Sequence, residues 1–153
     1  MSLIFNVDIS QSSLGFLEEI AFRVVHAEPL MNQIGSIVYD QIIDSFEHER
    51  DASDGSPWAE LAPSTIKART RRGYTPITKL RASGKGERAI NLSIASNTVR
   101  IEYGGNGTDY MSLHRSGTSR MPKRDFLPSV DWIEKSPKIL EAVMRHINPR
   151  GFS

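Results

Sequence analysis

A chain of 153 residues, 39% hydrophobic and 24% charged, suits one domain whose core buries roughly 70% of the surface that the unfolded chain exposes. No run approaches the ~18 apolar residues of a membrane span, and the absence of cysteine excludes disulfides and thiolate metal sites, in keeping with a reducing cytoplasm. The net charge of +1 hides a division: residues 1–64 hold eleven acidic side chains and two basic ones, Arg23 and Arg50, whereas the remainder holds seventeen basic against seven acidic.

Met1 to Ser10 has no basic residue and no long apolar run, so no secretory signal is expected there. Leu3, Phe5 and Val7 alternate with polar neighbours and predict a half-buried strand. From Ser12 to Val25, Leu14, Leu17, Ile20, Ala21 and Val24 recur at helical spacing, predicting an amphipathic helix with Glu18, Glu19 and Arg23 outside. Glu28-Pro29 opens a second helix, since proline fits a first turn where its missing N–H costs nothing. Leu30, Ile34, Val38, Ile42 and Phe46 follow at intervals of four, with Asp40, Asp44 and Glu47 on the wet side. That helix should end near Arg50, because Asp51-Ala-Ser-Asp-Gly55-Ser-Pro57 is turn chemistry throughout.

Residues 58–86 show no sustained period. Apart from a short helical turn near Pro63 to Ala68 they predict an extended basic loop, and a loop that long inside a compact domain is usually functional or disordered. Between Thr65 and Ile90 eight cations face a single acid, Glu87. Ile90, Leu92 and Ile94, then Val99, Ile101 and Tyr103, alternate around a turn at Asn97 and predict an antiparallel hairpin. Tyr110 to Arg115 can form one helical turn, and Gly117 to Pro128 is irregular. Ser136-Pro137 starts a last helix with Ile139, Val143 and Ile147 on one face, stopped by Asn148-Pro149. The whole chain, 1–153, thus predicts a single α+β domain: a small antiparallel sheet against two or three amphipathic helices, with a long basic loop at 58–86.

No chemistry-bearing motif stands out. His26, His48, His114 and His146 stand apart, and His48-Glu49-Arg50 lacks the second histidine of a zinc-protease helix. Asp51-Ala-Ser-Asp-Gly55 does not keep the ligand register of a calcium loop. Gly84-Lys-Gly86 lacks the rest of a phosphate-binding fingerprint, and there is neither a Gly-x-Ser-x-Gly elbow nor a cysteine nucleophile. No catalytic residue, cofactor or metal is therefore expected. The basic segment admits three readings. It is a nucleic-acid site with Tyr74 available to stack, a solvated loop, or a surface resting on the acidic first half of a neighbouring copy in a heterologous ring. The last is preferred.

Three clusters carry more specific information. They are Gly55-Ser-Pro-Trp58-Ala-Glu-Leu61 with Thr65 and Lys67; Leu80-Arg-Ala-Ser-Gly84; and His114-Arg-Ser-Gly117 running into Met121-Pro-Lys-Arg124-Asp-Phe126-Leu127. With Phe46 ending the long helix and Tyr110 ahead of His114, their order resembles the phage virion morphogenesis family over Phe46 to Leu127. Lys85-Gly-Glu-Arg88 departs from that pattern, which more often has a leucine soon after the glycine. The resemblance implies a non-enzymatic virion protein, assembled in the bacterial host cytoplasm, that completes a tail or joins it to the head. Six-fold tail symmetry implies a hexameric ring, with tail or head-neck proteins as further partners, non-specific DNA contact as an alternative, and no membrane. Read from the residues alone, Trp58 and Leu61 are core anchors before they are contacts, and Phe126 and Leu127 pose the same choice; the resemblance instead implies that Trp58 and Leu61 anchor an interface, that Lys67, Arg69, Arg71, Arg72 and Arg81 supply its charges, and that Arg124 with Phe126 forms a second contact. His114, Gly84 and Gly117 are expected to be structural.

Overall fold

The computed structural model describes residues 11–104 and 110–148; the strand expected around Leu3, Phe5 and Val7 lies outside them. In chain order the elements are α1 (Gln11–Val25), α2 (Glu28–Glu47), α3 (Pro63–Arg71), α4 (Lys85–Arg88), β1 (Asn91–Ala95), β2 (Thr98–Glu102), α5 (Tyr110–Ser116), α6 (Val130–Lys135) and α7 (Pro137–Ile147). Helices with one small sheet make an α+β fold.

The central element is α2, because its stripe at intervals of four places one continuous apolar face inward. Leu30, Val38, Ile42 and Phe46 are buried on it, each side chain contributing about 1.5–3 kcal/mol relative to exposure. Pro29 sits in its first turn, as the fixed φ of proline favours. Its last buried turn holds Ser45, whose hydroxyl donates to the Ile42 carbonyl at 2.7 Å and so avoids a stranded polar atom.

The hairpin packs on one side of α2. Its strands pair antiparallel from Asn91↔Glu102 to Ala95↔Thr98 around a turn at Ser96 and Asn97. Leu92, Ile94, Val99 and Ile101 are half-buried, alternating with exposed neighbours. Gly35 makes this approach possible: a Cβ there would lie 2.9 Å from Ile94 Cδ1 and 3.5 Å from Leu92 Cδ2. On the other side α7 buries Ile139 and Ala142, and α6 lies beside it. The six residues of α6 are too few to show a period in the sequence, yet its start is marked by Ser129, whose hydroxyl accepts the Trp132 N–H at 3.2 Å.

Two expectations are corrected. Residues 58–86 are not one extended loop, since α3 continues three residues past Ala68 to Arg71, α4 follows, and Trp58, Lys79 and Leu80 are buried. Local apolar spacing could not reveal this, because α3 has no buried face of its own. The inward side of α1 is also turned: Ile20 faces inward and Glu18 outward as expected, but Glu19 and Arg23 join Ile20 while Leu17, Ala21 and Val24 are exposed. Arg23 donates from Nη1 to the His146 carbonyl at 3.4 Å, and His146 Nε2 lies 2.8 Å from the Arg23 carbonyl, so the side bearing Glu19, Ile20 and Arg23 is half-buried on α7. Leu17, Phe22 and Val25 face outward, 51%, 62% and 75% exposed.

Candidate functional site

The three sequence clusters meet in space. Trp58 is held by two contacts: its backbone N–H donates to the Glu49 carbonyl at 2.8 Å and its indole Nε1 to the Asp125 carbonyl at 3.1 Å. Its ring meets Phe46 edge-on at 5.7 Å; Phe46 leans on Phe126 at 5.5 Å, and Tyr103 stands against Phe126 at 5.2 Å. Such aromatic contacts add about 0.5–1.5 kcal/mol beyond area burial.

Arg124 ties the same segments from beside this stack. Its Nε and Nη2 donate to the Ala59 carbonyl at 3.1 and 2.9 Å, Nη2 also reaches the Glu60 carbonyl at 3.1 Å, and its backbone N–H donates to the His114 carbonyl at 2.8 Å. The planar fork of a guanidinium suits two adjacent carbonyls where an ammonium would reach one. Lys79 makes a second buried anchor: its ammonium lies 2.7 Å from Glu60 and 3.3 Å from Glu49, and its backbone N–H donates to Glu49 Oε1 at 2.6 Å. The hydrogen bond to Glu60, with support from Glu49, raises the Lys79 ammonium above its usual range despite burial. Glu49 and the adjacent Leu80 adopt φ values of +52° and +57°, left-handed conformations uncommon for residues other than glycine.

The predicted interface residues therefore separate into two groups. Trp58 (4% exposed), Arg124 (4%) and Phe126 (0%) are interior, where their contacts brace the protomer itself. Arg81 is half-buried and pairs with Glu87 at 2.8 Å. Leu61 and Arg69 are half-buried, Arg69 Nη1 donating to the Thr78 carbonyl. Of the predicted charges, Lys67 and Arg71 on α3 and Arg72 just past its end are exposed.

Gly84 and Gly117 sit where the backbone needs glycine. Both have positive φ, +67° and +73°; a Cβ on Gly117 would come within 3.0 Å of the Lys123 backbone nitrogen. His114 braces through its backbone carbonyl, while its ring Nδ1 is buried without a hydrogen-bond partner. Burial first, then the charges of Arg124 and Arg69, lower the imidazole below its ordinary range.

That shift has a checkable sign. With the folded pKa below the unfolded value of about 6.5, the unfolded chain binds more protons as pH falls below 6.5, so acidification removes stability there. Melting temperatures measured between pH 7.5 and 5.0 should fall more steeply for the wild type than for His114→Gln; equal slopes would assign the acid sensitivity elsewhere.

Sequence reasoning missed the cleft next to these braces. A cavity of about 350 Å³ opens between α3 and the loop after α5. Leu61, Met121 and Pro122 supply apolar walls, while Arg69, Arg120, Arg124 and His114 supply positive or protonatable groups. Glu60 is the carboxylate among its lining residues, and it is paired with Lys79. A signal was available, since the charged triplet Lys123-Arg124-Asp125 sits between the apolar pairs Met121-Pro122 and Phe126-Leu127. A groove of about 580 Å³ between α2, α6 and α7 has its Asp44 paired to Arg50 at 2.6 Å. Among the described residues no group of three or more His, Asp or Glu is placed to hold a metal ion, and no helix is long and apolar enough to cross a membrane.

The model of the phage virion morphogenesis family matches residues 11–147 of the chain. No curated protein and no solved structure matches it.

Proposed function

We propose that this chain, which belongs to the phage virion morphogenesis family, completes a phage tail or joins it to the head as one subunit of a ring. Membership gives it a structural, assembly role in a phage particle, among other virion components. Tail completion, a six-fold ring and assembly in the host cytoplasm are inferred from the family's resemblance and from the charges of this surface.

One observation carries the ring. Among the described residues, no ion pair joins Lys67, Arg71 or Arg72 to a carboxylate, and none joins Glu28, Asp40 or Glu47 to a cation, although all six are exposed. Unmatched charges of opposite sign on different elements of one protomer favour a head-to-tail contact, in which each copy presents cations to the acids of the next.

Light scattering at low and physiological salt, with and without a short DNA duplex, tests this. The expected result is a mass six times the 17.1 kDa of the protomer, retained at physiological salt and unchanged by DNA. The second reading, a nucleic-acid module, draws on the display of Lys67 and Arg71 on α3 and of Arg72 at its C-terminal end. It requires a monomer whose binding to the duplex weakens steeply between about 50 and 200 mM salt. Tyr74 is half-buried, which leaves less of its ring for stacking.

A further inference from the structure

The outward face of α1 is apolar with a carboxylate set in it. At 100° per residue, Leu17, Glu18, Ala21, Phe22 and Val25 fall on one side, opposite the Glu19, Ile20 and Arg23 side seated on α7, and all five are exposed. Grouped apolar side chains on a surface mark a contact rather than a solvated helix. The cleft between α3 and the loop carrying Arg120 has the opposite character: apolar walls around three guanidinium groups, with Glu60 as the carboxylate among its lining residues and that one paired to Lys79. Burial, and next the like charge of Arg69, lower the Arg124 guanidinium from its usual value, as an anion beside the cleft would reverse.

We propose that the outward face of α1 in one copy docks at the cationic cleft of the next copy, with Glu18 set against Arg69 and Arg120. This rests on the ring reading and names its contact. The cleft's 350 Å³ is room for roughly a dozen waters, enough for a carboxylate and an apolar neighbour. A nucleic-acid strand is the poorer occupant, because its phosphates recur along a line whereas these cations converge on one recess.

Glu18 and Arg120 are both exposed, so their substitution leaves the fold intact, which an unchanged melting curve verifies. Glu18→Arg and Arg120→Glu are each expected to raise the concentration for half-assembly by about tenfold or more, and the Glu18→Arg/Arg120→Glu double variant to return it to within about threefold of wild type, since close charge pairs couple across interfaces. A wild-type ring that neither single variant weakens overturns this docking and leaves the ring reading standing. A double variant as dispersed as the singles also overturns it, and so does an Arg120→Glu variant that loses duplex binding while assembling normally. A wild type that stays monomeric at every concentration overturns both.

Discussion

Phe126→Ala lowers the unfolding free energy by about 3–5 kcal/mol, the range for truncating a buried aromatic side chain. Phe126 has no exposed surface and stands between Phe46 on α2 and Tyr103 beyond β2, so its removal leaves a gap that neither a helix nor a hairpin can close alone. Domains are stable by about 5–15 kcal/mol, and the variant should therefore be partly unfolded at modest denaturant. Urea titration reads the effect as a lower midpoint at unchanged slope. A loss below about 1.5 kcal/mol would mean that the surrounding rings collapse into the space.

Arg124→Ala is the second large effect, expected at about 2–5 kcal/mol, because it empties a buried site and removes the charged hydrogen bonds to the Ala59 and Glu60 carbonyls, about 1.5–3 kcal/mol each. Arg124→Lys should recover less than half of the loss, since one ammonium cannot span both acceptors. A separate readout belongs to His114: with the charge of Arg124 gone, its imidazole moves back toward its ordinary range, which nuclear magnetic resonance titration detects. An Arg124→Ala variant within about 1 kcal/mol of wild type would mean that water replaces the guanidinium.

The contrast between these two residues shows what was legible in the sequence. The stripe of α2 from Leu30 to Phe46 and the alternation from Leu92 to Ile101 could be read directly, because each follows the period of its own element and that face is inward. The same reasoning misplaced α1. Spacing identified an apolar face, but the reciprocal contacts of Arg23 and His146, 123 positions apart, decided which side meets the domain.

The surroundings of the candidate residues were hidden for a related reason. Trp58, Phe126 and Arg124 were singled out correctly as unusual, yet their neighbours are set by contacts across 64 to 67 positions, which no local period encodes. Surface charge was easier: Lys67 and Arg71 on α3, and Arg72 just past its end, are exposed, since a helix with no buried face has nowhere else to put them.

The grip of Arg124 on the Ala59 and Glu60 carbonyls also bears on where the protein can last. In a chain without cysteine, it joins distant loops as a covalent bridge would, but it needs no oxidant to close and no reductase can open it. The clasp forms as the chain folds and holds equally well on either side of a cell envelope.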